Sequence, residues 1–411
     1  MSFTSLGLSQ DLLKAVLYAG YQHPTAIQTQ AIPLILKGKD VIAEAKTGTG
    51  KTASFVFPIL QLLQECPDQK NKTVKVLVLT PTRELAMQVS SAIKDYGRLL
   101  THPLRAALIV GGANIHVQLR SLTHGVDIIV ATPGRLLDVA QRQDVDFQFL
   151  KFLVIDEADK MFDLGFSDEI EAILKLLPTK RQNLLFSATI GRKVKALAQR
   201  FMPDALDIKI EDDVPTVERI HQRVIEVNAV KRGPLLRHLI QAEQWQHVLV
   251  FVSRARNADI MVAKLRKAGI KAKAFHGGLT QAQRTHVLAD FKKKRIDVLV
   301  ATDLAARGID IDKLPFVVNY DLPRSADVYI HRIGRTARAG ESGTAVTFIG
   351  HEDQAHFALI EKRTRTRLKR ESIEGFELTG EPLSKGKGQP PVKGLRMSKK
   401  DKARAAAKKE G

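Results

Sequence analysis

DVIAEAKTGTGKT, residues 40–52, is a short apolar run that ends in a glycine-spaced loop and then passes into a segment of helical character. A short apolar run closed by glycines reads as a buried strand. The glycines let successive backbone N–H groups turn toward phosphate oxygens. Ala45, Lys46, Thr47, Gly48, Thr49 and Gly50 then line a phosphate cradle, Lys51 reaches the β and γ phosphates, and Thr52 holds magnesium. Strand, phosphate loop and helix in that order predict an α/β domain built on a P-loop.

A phosphate loop needs acid nearby, and FLVIDEADKMFDLGF (152–166) supplies it. Four apolar residues end in Asp156, Glu157 and Asp159. Carboxylates gathered at the carboxyl end of a buried strand repel one another unless a cation or proton relieves them. Asp156 is therefore expected to ligate the magnesium shell, and Glu157 to orient and deprotonate the attacking water.

Similar runs recur along the chain. DVIAEA, VKVLVLTP, VDIIVATP, FLVIDEAD and NLLFSAT form one series, and HVLVFVS, AKAFHG, DVLVATD, FVVNYD and GTAVTFIG form a second. Apolar strands alternating with longer amphipathic segments are the signature of βα units. Two parallel-sheet α/β domains are expected, at 1–210 and 219–370, joined by an acidic, proline-containing linker at 211–218. Beyond 370 the apolar periodicity fades. Residues 385–411 hold ten Lys and Arg against two acids, so 371–411 is expected to be a disordered basic tail.

With 411 residues and 44% apolar content, the chain can bury more than one core. Its 64 Lys and Arg against 44 acids give a formal charge of +20, which points to a polyanionic partner, nucleic acid before membrane. The start lacks a signal-peptide layout, and no long apolar run appears, so a cytoplasmic protein without membrane contact is expected. Cys66 is the single cysteine, which excludes an internal disulfide and a cysteine metal cage. The twelve histidines show no ligand spacing, so a protein-held transition metal is not expected.

Residues 156–159 spell D-E-A-D, and the motifs flanking them resemble those of the DEAD-box RNA helicases from residue 3 to about residue 350. GYQHPTAIQ (20–28) is similar to the family's Q motif, with Gln28 as adenine reader and Phe3 as the outlying aromatic. An amide pairs with N6 and N7 of adenine and not with guanine, so ATP is implied. PTRELA (81–86), Gly111 with Gly112, and TPGR (132–135) resemble elements that line the RNA backbone, which implies RNA contacts at Arg83, Gly112, Thr132 and Arg135. In SAT (187–189), Ser187 and Thr189, together with Asp159 and His331, are implied to couple the ATP site to strand separation. In the second domain HGGLTQAQR (276–284) places Gln281 and Arg284 near RNA phosphates. ATDLAARGID (301–310) implies Thr302 at RNA and Asp310 at the ATP ribose, and HRIGRTARAG (331–340) implies Arg335 and Arg338 as arginine fingers.

The resemblance implies two RecA-like domains that ATP and RNA close, and an ATPase that locally separates short RNA duplexes or remodels RNA–protein complexes. Glu157, Lys51, Arg335 and Arg338 would carry the chemistry, with ATP and Mg2+ as cofactors. A monomer is expected, with ribosomal-precursor or mRNA-decay complexes as candidate partners. The compact core with a short basic tail is similar to the RhlE-like bacterial group. Two rivals stay open, an RNA-binding clamp in which unwinding is incidental, and a DNA helicase, because both polymers carry the same phosphates.

Overall fold

In the computed structural model, described residues are 2–46, 48–65, 73–123, 125–142, 145–210, 220–306, 311, 314–336 and 343–380. Thr47, Asp310, Arg338, Cys66, the linker expected at 211–218 and residues 381–411 lie outside them.

The first sheet contains β1 (Val41–Glu44), β2 (Val76–Leu79), β3 (Ala106–Ile109), β4 (Ile128–Ala131), β5 (Phe152–Asp156), β6 (Gln182–Ser187) and β7 (Leu206–Lys209). The second contains β8 (Ile220–Glu226), β9 (Val248–Val252), β10 (Ala272–Phe275), β11 (Val298–Thr302), β12 (Phe316–Asn319), β13 (Gly343–Ile349) and β14 (Arg370–Glu371). Strand order is β3-β4-β2-β5-β6-β1-β7 in one and β10-β11-β9-β12-β13-β8-β14 in the other. Each strand of the second sheet occupies the place of the strand seven earlier, so one topology is used twice. The named strand pairs are all parallel.

Central strands β2, β4 and β9 are apolar at every position because helices cover both faces. In β5, Phe152 and Val154 join one core while Leu153 and Ile155 join the other. In β9, Val248, Val250 and Val252 face one core of the second unit, and Leu249 and Phe251 face its neighbour. A parallel ladder directs all carboxyl ends to one edge, where ligands bind in open α/β sheets. In the first sheet that edge ends in Glu44, Asp156 and Ser187.

Residues 371–380, expected in the disordered tail, instead pack on the second unit. Arg370 and Glu371 pair with Val224 and Ile225 of β8, and Ile373 and Phe376 rest on its core. Asn228 then clips the segment by donating to the Thr379 carbonyl (2.8 Å) and accepting from the Thr379 amide (3.0 Å). Two anchoring apolar residues suffice here, too few to produce a periodic signal.

Candidate active site and nucleic-acid interface

The phosphate loop joins β1 to the helix Lys51–Glu65. Its glycines do what the spacing requires, since Gly48 and Gly50 adopt φ of 80° and 94°, a region other residues rarely enter. Ala45 is buried and its N–H donates to the Ser187 carbonyl at 2.9 Å, extending the β1–β6 ladder. Thr49 Oγ1 donates to the Lys46 carbonyl at 2.8 Å. Lys51 and half-buried Thr52 open the helix.

Lys51 Nζ and Asp156 Oδ1 are both buried without a hydrogen-bond partner in the protein. A buried ammonium and carboxylate oxygen left unsatisfied are costly, and this pair is what a phosphate and its cation would satisfy. Burial pushes the Asp156 carboxyl up to about 7, against the pull of Lys51 and with the added repulsion of Glu157. An acid whose folded pKa is raised costs stability as pH climbs from its ordinary value, and the full cost stands above the folded pKa. Asp156→Asn is therefore expected to remove a stability loss on the order of a few kcal/mol between about pH 4 and 7. Ligand-free melting curves across that range check this, and parallel curves for parent and variant would refute it.

Glu157 follows the end of β5 in a left-handed conformation, φ 54° and ψ 51°, and caps the short helix Ala158–Asp163. Such backbone strain in a non-glycine residue persists where its surroundings over-determine it. Here Lys160 does so by donating to Glu157 Oε2 at 2.6 Å, both side chains being buried. Asp159 turns the other way. Its Oδ2 accepts from Thr189 N (3.0 Å) and Oγ1 (3.1 Å), while its N–H donates to Ser187 Oγ, which donates onward to the Thr189 carbonyl. The D-E-A-D and S-A-T segments are thus one hydrogen-bonded unit.

The second unit reaches this cluster. His331 is solvent-accessible yet lies in the crowded cleft, and that crowding, ahead of the charges of Lys160 and Arg335, holds its imidazole below the usual histidine range. Asp159 and Glu157 pull in the opposite direction. The charges that act on this imidazole thus include Glu157, Asp159 and Lys160 of the first unit and buried Arg335 of its own. Arg338 and Asp310 lie outside the described residues.

A second cluster crosses the same cleft. Glu84, 3% exposed, accepts from Gln281 Nε2 at 3.1 Å and pairs with Arg284 at 3.1 Å. Gln281 Oε1 and Arg284 Nε remain buried without partners. Arg83 stands beside them, and partial burial together with the like charges of Arg284 and Arg135 outweighs Glu84 and lowers its pKa. Its guanidinium occupies the space a Cβ on Gly112 would need, and Gly112 has φ 70°. Thr132 Oγ1 accepts from Gly111 N (3.4 Å), and Arg135 donates to the Ala113 carbonyl (3.0 Å). Three guanidiniums and glycine N–H groups on one surface make an anion-binding face. Thr302 ends β11, half-buried, next to Asp303.

Phe3 and Gln28, the two residues of the first unit expected beside the base, are both buried. Phe3 is 5% exposed inside an aromatic cluster with Tyr21 and Phe57, ring centroids 6.1 and 6.4 Å away. Gln28 is fully buried, accepting from Thr25 N (3.0 Å) and donating to the Gly50 carbonyl (3.3 Å). Its amide keeps one N–H and one lone pair uncommitted, the donor and acceptor that an adenine edge needs. In this structure Gln28 ties the Q motif to the phosphate loop.

Lys160, Glu84 and Arg332 escaped the sequence reading. Arg332 is 2% exposed, grips Asp303 with two bonds of 2.6 and 2.7 Å, and lies over Phe251, 4.8 Å from its centroid. It therefore fixes the end of β11 against the helix carrying His331. Each is a single charged residue inside a motif already assigned to other positions, and only its burial distinguishes it.

A model of DEAD/DEAH box helicases matches residues 25–197, and one of the helicase conserved C-terminal domain matches 231–340. The chain is 40% identical over 368 residues to an ATP-dependent RNA helicase CshA of Limosilactobacillus reuteri, covering 90% of this chain and 73% of that one. It is also 40% identical over 381 residues to a DEAD-box ATP-dependent RNA helicase CshA of Geobacillus kaustophilus, covering 91% and 80%. Among solved structures it is similar to S. cerevisiae Dbp5 bound to RNA and ADP BeF3, with TM-score 0.78, 30% identity and coverage of 91% and 96%. Mss116p bound to ssRNA and AMP-PNP gives TM-score 0.81, 30% identity and coverage of 91% and 80%. These relatives carry the CshA name, so the narrower RhlE-like grouping rests on the short tail alone. The two matched models span more than half of the sequence, their motifs are those gathered at the cleft, and the chain belongs to the DEAD-box ATP-dependent RNA helicases.

Proposed function

We propose that the protein is an RNA-dependent ATPase that separates short RNA duplexes locally and remodels RNA–protein complexes in the cytoplasm, working as a monomer. The observation that carries this reading is that Lys51 Nζ and Asp156 Oδ1 are buried without a partner beside the phosphate loop, in a charge cluster that also acts on His331 of the second unit. Thr52 and Asp156 hold Mg2+, which neutralises phosphate charge when bound. Lys51 orients the terminal phosphates. Glu157, held by Lys160, takes a proton from the attacking water. Arg335 and Arg338 stabilise the transferring phosphoryl group only when the two units meet, so closure switches hydrolysis on.

The RNA strand lies on Arg83, Gly112, Thr132 and Arg135 of one unit and on Gln281, Arg284 and Thr302 of the other. Ser187, Thr189, Asp159 and His331 pass the state of the nucleotide to that surface. Hydrolysis then weakens the closed state and releases the strand. Strand displacement tests this, with a short RNA duplex separating in the presence of ATP and the matched DNA duplex staying paired. Equal displacement of both would favour the DNA-helicase rival.

Gly112→Ala gives a narrower expectation. The new methyl must displace the flexible Arg83 guanidinium, and φ of 70° adds strain of about 1 kcal/mol. Folding therefore changes little, whereas RNA affinity is expected to fall about tenfold through the loss of a charge-assisted phosphate contact worth roughly 1.5 kcal/mol. RNA titrations alongside thermal melts separate the two effects. Unchanged affinity would take Arg83 out of the RNA surface.

A further inference from the structure

The amino ends of β9, β10 and β11 form the pole of the second unit that lies opposite the cleft. Two basic segments meet there, KLRKAGIKAK (264–273) before and within β10, and FKKKRID (291–297) before β11. The Lys271 carbonyl accepts from Asp297 N (2.8 Å) and Val298 N (3.1 Å), which joins them. Between them is a cavity of about 330 Å3 whose rim carries Arg266, Lys271 and Arg295 over Ile270 and Ile296. The two segments bring nine Lys and Arg, with Asp297 inside them and Asp290 beside them. Asp290 is already shared by Lys273 (2.6 Å), His286 (3.2 Å) and Arg295 (3.4 Å). Lys264, Arg266, Lys267, Lys271, Lys293, Lys294 and Arg295 are exposed.

The fold does not require this charge, and the duplicated topology supplies the control. The same pole of the first unit lies at the amino ends of β2, β3 and β4, where GRLLTHPLR (97–105) has two cations in nine residues against five in ten in 264–273. There Lys75 pairs with Asp127 at 3.2 Å, and the Arg105 amide donates to the same carboxylate at 3.0 Å. Like charges crowded on one surface are mutually repulsive, so the excess on the second unit needs an anionic occupant. Phe291, the aromatic of these segments, is fully buried. The surface can therefore hold phosphates and cannot stack bases.

We infer that this pole is a second RNA-binding surface, which takes the sugar–phosphate backbone of a structured RNA outside the helicase cleft without reading its sequence. The inference rests on the RNA-dependent reading above. β10 runs four residues from this pole to the cleft side, about 13 Å at strand rise. A strand just filling the cleft does not cover both surfaces, whereas one with a duplex extension can. The surface would hold the helicase on its target between cycles of cleft opening.

The test compares the full chain with a variant carrying Lys264→Gln, Lys267→Gln, Lys271→Gln and Lys293→Gln, and with the four matching Lys→Arg substitutions. Affinity is measured across a salt series for a single strand that fills the cleft and for the same strand with a duplex extension. ATP turnover at saturating short strand is measured alongside. For the extended RNA the Gln variant is expected to lose about tenfold in affinity at low salt and to flatten the log K against log salt slope by roughly 3 units, at about 0.7 to 0.9 per phosphate. The Arg variant should match the parent, as should short-strand binding and turnover in the Gln variant. Equal slopes for parent and Gln variant on extended RNA would overturn the inference, as would equal losses on both RNAs, which would mean a diffuse field. A parent whose turnover ignores RNA defeats the functional reading instead, and the two failures are read from different measurements.

Discussion

Glu157→Gln is expected to retain ATP and RNA binding while turnover falls by about 10² to 10⁴, the range a positioned general base contributes. The amide keeps the shape of the carboxylate, and its oxygen can still accept from Lys160, 2.6 Å away in the parent. What it cannot do is take a proton from water. The substitution also leaves Lys160 buried without its counter-charge, and breaking a buried pair costs about 3 kcal/mol. The double variant Glu157→Gln/Lys160→Met should recover much of that stability without recovering turnover. Single-turnover hydrolysis with bound nucleotide measured separately checks both parts. A Glu157→Gln rate within a factor of about two of the parent would assign the base elsewhere.

Arg335→Ala should cost more. A correctly delivered arginine finger is worth about 10³ to 10⁵ in rate, or roughly 4 to 7 kcal/mol of transition-state stabilisation. Arg335 belongs to the second unit, is buried, and acts on His331 together with Glu157, Asp159 and Lys160 of the first. It contributes nothing to nucleotide held by the first unit alone, so binding should survive while hydrolysis is lost. By the same reasoning a 1–210 fragment should bind ATP weakly and turn it over negligibly. Arg335→Ala turnover within about tenfold of the parent would remove Arg335 from the transition state and with it the reason for closure.

How far these features were legible depended on burial. Central strands β1, β2, β4, β5 and β6, and β9 and β11 to β13, stood out because cover on both faces favours apolar runs, and edge strand β10 stood out with them through Ala272, Ala274 and Phe275. β3, β7 and β14, which were not read, are edge strands, and β8 neighbours one. Their half-exposed positions admit residues such as Asp207, Lys209, His221 and Arg223, which kept β7 and β8, on either side of the expected linker at 211–218, out of the two apolar series. The phosphate loop and the D-E-A-D run were readable because each is local in sequence. The cleft was not, since Glu84 with Arg284, or His331 with Asp159, are pairs separated by the whole of a domain. Phe3 and Gln28 show what the motif alone left out, the packing of one ring against Phe57 and the hydrogen bond of one amide to the Gly50 carbonyl.

The most direct measurement of the account is steady-state ATP hydrolysis by the full chain with Mg2+, in the presence and absence of single-stranded RNA, with a matched DNA strand as control. If the catalytic groups are divided between two units that RNA aligns, RNA should raise turnover at least about tenfold and DNA should not. Equal rates with and without RNA would contradict it.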